Sequence, residues 1–124
     1  MRWPDESKWP RATLSFMREG LVARTTAELK SRLESRFGAD LLEVRLFGSY
    51  ARGEANEESD VDVFVLLRAA GWRERKAVLD MAGDLFAESG LLISPTVFDV
   101  DRYEEWRRQQ RPLVMDIERE GVRL

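Results

Sequence analysis

The chain has 124 residues, 44% of them apolar, enough for one core of ordinary size. It contains neither cysteine nor histidine, which excludes disulfides, zinc sites, thiol nucleophiles and imidazole acid-base chemistry and leaves any reaction to carboxylates and hydroxyls. A net charge of -3 with 35% charged residues describes a solvated surface, not the basic excess of a nucleic-acid binder.

Residues 1–11, MRWPDESKWPR, place two Trp and two Pro in a polar setting, which predicts an irregular N-terminal arm with Trp3 and Trp9 as partner contacts. The arm lacks the apolar run of a signal peptide, and no stretch approaches the roughly 18 apolar residues of a membrane helix, so a cytoplasmic protein without a membrane partner is expected. Residues 1–124 are expected to form a single domain. From Thr25 or Thr26, taken as N-cap, Leu29, Leu33 and Phe37 recur at helical spacing until Gly38, and the pattern extends upstream toward Leu14. Leu41–Phe47 reads as a strand, Tyr50–Ser59 as a short helix and turn, and Asp60–Leu67 as a second strand. A helix over Trp72–Glu88 stops at Gly90, a third strand spans Leu91–Val100, and two short helices, Arg102–Gln109 and Leu113–Glu120, are divided by Pro112 and ended by Gly121. The order predicts an α/β (α+β) domain in which a small mixed β-sheet has helices packed on one side.

Chemistry concentrates between Leu46 and Leu67, LFGSYARGEANEESDVDVFVLL. Successive side chains of a strand alternate between faces, so Asp60 and Asp62 project from one face while Val61 and Val63 take the other. Two carboxylates so close raise each other's pKa or require a cation, and hard divalent ions such as Mg2+ take oxygen ligands from one or two carboxylates plus substrate phosphates. Upstream, Gly48 lets the main chain approach a phosphate closely, and Ser49 adds a hydroxyl where a short helix starts. An Asp-X-Asp pair alone is often a solvated strand end, and Gly-Ser is a common turn. Here, however, the pair opens the apolar run Val63–Leu67, where exposed carboxylates are unexpected.

Gly48-Ser49, a spacer of ten residues, then Asp60-Val61-Asp62-Val63 resembles the signature of the polymerase-beta-type nucleotidyltransferase superfamily. The short chain and the Arg52-Gly53 after Tyr50-Ala51 are similar to its minimal nucleotidyltransferases, which are often paired with a HEPN-domain protein in toxin-antitoxin modules. The resemblance covers roughly residues 25–124 and implies a nucleotidyltransferase-like fold. It makes Asp60 and Asp62 catalytic residues and Mg2+ ligands, for one ion or two, and makes Gly48, Ser49 and Arg52 the nucleotide contacts. Arg52 is equally placed to pair with Glu54 or Glu57. The implied substrate is an NTP, with ATP favoured, whose nucleoside monophosphate passes to a hydroxyl. The acceptor is a tyrosine on a HEPN partner, or a small molecule such as an aminoglycoside.

In active members a third acid stands on the strand after the long helix. Here that strand reads LLISPTVFDV, with Ser94, Pro95 and Thr96 uncharged at its middle, and Pro95 marks an edge or a bulge. Asp99, the nearest acid, falls several residues late and, with Asp101, is better placed to cap the next helix. A nucleotide-binding module acting by partner occlusion therefore stands beside the enzyme, and a homo-oligomer with a vestigial site is a third alternative.

Overall fold

The computed structural model describes residues 10–56 and 58–124, so Trp3 and Trp9 lie outside the described residues. Helix α1 (Arg11–Phe37) is followed by a short turn, strand β1 (Leu41–Phe47), helix α2 (Ser49–Arg52), strand β2 (Val61–Leu67) and helix α3 (Trp72–Ser89). Strand β3 (Ile93–Asp99), helices α4 (Val100–Arg108) and α5 (Pro112–Glu120) and strand β4 (Val122–Arg123) complete the fold. The sheet order is β3-β2-β1-β4, with β2 antiparallel to β1 and parallel to β3, so the sheet is mixed as expected.

From Val63 onward β2 is apolar on both faces, and each face is covered. Val61, Val63, Val65 and Leu67 join Leu29 and Leu33 of α1 and Val78 and Leu85 of α3 in one core, all of them almost fully buried. Phe64 enters a second core with Phe47, Phe98, Tyr103, Val114 and Ile117. There its ring lies 5.4 Å from that of Tyr103 and 6.0 Å from that of Phe98, spacings at which aromatic pairs add to area burial. Helices were expected on one side of the sheet; α1 and α3 form that layer, but the other face is covered too. α4 and α5 add a smaller layer on the opposite face, because Phe64 and Phe98 project there and need cover.

Three local expectations are revised. α1 already includes Arg11, which was assigned to the irregular arm. Thr25 and Thr26 are buried inside α1 and do not cap it; the Thr26 hydroxyl donates to the Val22 carbonyl at 2.8 Å, the back-bonding that lets a threonine sit in mid-helix. After Gly121, β4 pairs with Arg45 and Leu46 of β1, and the Leu124 N–H donates to the Val44 carbonyl at 3.0 Å.

β3 is an edge strand, as Pro95 suggested. The Val61 N–H donates to the Leu92 carbonyl, and parallel alternation from there turns the main-chain groups of residues 93, 95, 97 and 99 away from β2. On that open edge Pro95 has no N–H to leave unpaired, and the Val97 carbonyl accepts from Arg75 Nη1.

Candidate active site

The turn leaving β1 is fixed by one glycine. Gly48 has φ 74° and ψ -154°, a region essentially reserved for glycine. Its pro-L position also faces the neighbouring strand, since Phe47 pairs with Asp62 and a Cβ on Gly48 would run into Asp62 Oδ2. The missing side chain is the space that the Asp62 carboxylate fills. Gly48→Ala is expected to cost about 1–3 kcal/mol of stability and to displace that carboxylate, which chemical denaturation monitored by circular dichroism will measure.

Asp60 and Asp62 meet on one side of the sheet, as the strand period predicted. Val61 and Val63 are buried on the α1–α3 side, whereas Asp62 lies against Gly48 and Asp60 Oδ2 accepts from Ser94 Oγ at 3.4 Å. Asp62 is half-buried, and its carboxyl is raised above the ordinary aspartate value by burial first and by the charge of Asp60 second, with Arg52 acting in the opposite direction. No group of three or more acidic side chains able to hold a metal occurs among the described residues. The donor set is thus two hard carboxylates with excess negative charge, which suits an ion that completes its shell with water and phosphate oxygens, as Mg2+ does.

The parallel ladder identifies what occupies the third position. Asp62 pairs with Ser94, and Phe64 with Thr96. Ser94 is therefore the side chain beside the carboxylates, and Thr96 already stands over the aromatic core. Asp99 pairs with Leu67 at the far end of β3, about 16 Å along the strand from Ser94. Its Oδ1 accepts from the Arg102 N–H at 2.8 Å, capping α4, and its Oδ2 lies 3.8 Å from Arg75. Asp101 is in the first turn of α4. Asp99 makes the expected cap, whereas Asp101 meets the helix dipole from within the first turn.

Ser49 is the first residue of α2, whose leading N–H groups have no partners within the helix. Arg52, near its end, donates through Nε to Glu54 and through Nη1 to Glu120, both at 3.0 Å. The hydrogen bonds of Arg52 and then Arg119 hold the Glu120 carboxyl below its ordinary value. Arg52 thus faces carboxylates, while its charge still reaches Asp62. Glu120 comes from α5, 68 residues away, and local sequence carries no signal for it.

A cavity of about 880 Å3 lies between α1, α2 and the segment before Asp60, lined by Leu14, Arg18, Val22, Leu46, Tyr50 and Leu124 among others. Across it Arg18 Nε donates to the Tyr50 hydroxyl at 2.7 Å. Neither Asp60 nor Asp62 lines it, because both point to the opposite face of the sheet. Size usually favours such a cavity as a site, but the paired carboxylates lie outside it.

The model of the nucleotidyltransferase domain family matches residues 27–116, a span that contains the Gly48 turn, both aspartates and Ser94. The chain belongs to this family. A relative named as a candidate protein adenylyltransferase, from Methanocaldococcus jannaschii, is 34% identical over 86 residues, covering 67% of this chain and 58% of the relative. A solved structure of a candidate minimal nucleotidyltransferase is similar with a TM-score of 0.56 and 31% identity, covering 86% of this chain and 94% of that one. A mutant of the toxin-antitoxin pair MntA-HpeT is similar in fold, with a TM-score of 0.50, 18% identity and coverage of 80% and 70%. This nucleotidyltransferase domain therefore spans little more than half the length of the first relative.

Proposed function

We propose that this nucleotidyltransferase domain transfers AMP from Mg2+-bound ATP to a hydroxyl, with a tyrosine of a HEPN-type toxin partner as acceptor, and so acts as an antitoxin. The observation that carries the reading is the Asp62 carboxylate seated against Gly48 with Asp60 on the same face. The name of the Methanocaldococcus relative supports AMP transfer to protein, and the MntA pair supports a toxin partner.

Asp60 and Asp62 would hold the metal through their oxygens. When bound, Mg2+ neutralises the triphosphate and the charge that develops on the attacking and leaving oxygens. The main-chain N–H groups of Gly48 and Ser49 orient the phosphates, and the bare Cα of Gly48 admits them closely. The acceptor oxygen then bonds to the α-phosphorus as the bond to pyrophosphate breaks, and the hydroxyl proton leaves to solvent or to a carboxylate. Position and electrostatics are the protein's whole contribution. Arg52 can turn to phosphate only by releasing Glu54 or Glu120.

Ser94 at the third position favours a second reading, a nucleotide-binding module that silences its partner by covering it. One experiment separates the two. The chain is incubated with α-labelled ATP, Mg2+ and the HEPN protein. Label on the partner that disappears with Asp60→Asn supports transfer; a stable complex without label supports occlusion.

A further inference from the structure

α5 stands on the side of the sheet to which Asp60 and Asp62 point, since Val114 and Ile117 share the core of Phe64 while Val61 and Val63 belong to the other. Its last residue, Glu120, is the α5 carboxylate that bonds Arg52. The Glu120 end of that contact is fixed. Gly121 leads directly into β4, which pairs with Arg45 and Leu46 of β1, and a Cβ on Gly121 would run into the Ile117 carbonyl. Arg52 ends a four-residue helix and carries a long, partly exposed side chain, so in any exchange of partners the arginine is the part that moves.

The two anions on Arg52 are unequal. The Glu54 side chain is 67% exposed and its pull is weakened by solvent, whereas that of Glu120 is 19% exposed. Arg52, ahead of Arg119, is what holds the Glu120 carboxyl below its ordinary value. Glu120 nevertheless keeps a second partner when Arg52 leaves, because Arg119 Nη2 donates to it at 3.2 Å and to Asp116 at 2.7 Å. Release therefore strands no charge on α5, and the guanidinium needs only another anion. A triphosphate held against Gly48 and the aspartates is such an anion. Arg52 stands one turn after Gly48, with its N–H bonded to the Gly48 carbonyl at 3.1 Å, and its charge already acts on Asp62.

Resting on the nucleotide site proposed above, we propose that Glu120 is a latch on it: Glu120 and the phosphates of the nucleotide compete for Arg52, so that the free protein keeps Arg52 on α5 and nucleotide binding takes it over. The apparent dissociation constant of the nucleotide then rises with the fraction of molecules in which Arg52 is held. An ion pair of this exposure weakens binding by up to about fivefold. The consequence is opposite in sign to that of a supporting residue. Removing the Glu120 charge tightens the nucleotide complex, whereas a carboxylate that served to aim Arg52 at the phosphates would loosen it when removed.

Calorimetric titration of the full chain with Mg2+ and α,β-methylene-ATP, which cannot give up its nucleotide, tests this with neither a partner nor an activity readout. Glu120→Gln is expected to bind about fivefold more tightly than wild type, and Glu120→Asp, one methylene shorter, to fall between the two. Arg52→Gln should bind more weakly, and adding Glu120→Gln to it should change the affinity less than about twofold, since both act through one contact. Asp116→Asn removes the same charge from α5 but bonds Arg119 and not Arg52, so it should stay within about twofold of wild type. Three results overturn the latch and leave the nucleotide site standing: Glu120→Gln binding no tighter than wild type, the same gain in the Arg52→Gln background, or an equal gain from Asp116→Asn. Failure of wild type and every variant to bind the analogue at millimolar concentration overturns the nucleotide site itself, and the latch with it.

Discussion

Asp62→Asn will raise the unfolding temperature at neutral pH while removing metal-dependent nucleotidyl transfer. Burial and the neighbouring Asp60 lift the Asp62 carboxyl in the folded protein, whereas the unfolded chain titrates near 3.9. For a carboxyl raised on folding, stability is fully present below the unfolded pKa and falls as pH rises through the folded one. The penalty therefore grows as pH rises through the folded value. Asparagine keeps the shape and removes the charge, so thermal melts of variant and wild type should coincide near pH 3 and separate as pH rises. Saturating Mg2+ should narrow the gap by stabilising only the wild type, since a ligand at about 100 times its dissociation constant adds about 2.7 kcal/mol. Transfer to the partner should drop at least about 100-fold, the loss typical of deleting one preorganised electrostatic contact. A variant that melts lower than wild type at pH 7, or that still labels the partner, refutes the assignment.

What the sequence disclosed about this site was what lies close in the chain. β1 and β2 were readable because seven-residue runs rich in Val, Leu and Phe have little other use, and β1 has the boundaries that its pattern predicted. The aspartate pair followed from strand period alone. β4 was invisible because two residues cannot display a period. The helix was expected to reach upstream toward Leu14 and begins three residues earlier, at Arg11; the cap was misplaced because Thr25 and Thr26 are as good at capping a helix as at bonding back within one, and only their burial decides between the two.

Contacts distant in sequence escaped for a different reason. The clamp of Glu120 on Arg52 and the second helix layer depend on where α5 docks, and no local pattern in α2 encodes that. The third position of the site was narrowed to an uncharged stretch, but which of its residues faces Asp62 is a matter of strand register. In a parallel pair the connection is a whole helix and fixes no register by itself. The ladder assigns the position to Ser94.

That assignment makes Ser94→Asp the complementary experiment. An aspartate there would stand beside Asp62 across the ladder and within reach of Asp60, to which the Ser94 hydroxyl already donates. Without metal, three carboxylates in one partly buried volume repel one another, and the variant should unfold at lower temperature than wild type. Mg2+ should more than reverse that loss, because each added carboxylate strengthens a hard-cation site. If transfer is limited by the absence of a group to take the acceptor's proton, the rate should rise by about 100-fold, the lower end of what a positioned general base contributes. Thr96→Asp supplies the control. It adds the same charge two residues further along β3, about 6.6 Å away and beside Phe64 in the aromatic core, so it should destabilise the fold without any Mg2+ response or gain in rate. Identical behaviour of the two variants would mean that Ser94 does not face the carboxylates, and the two-aspartate site would lose its geometry.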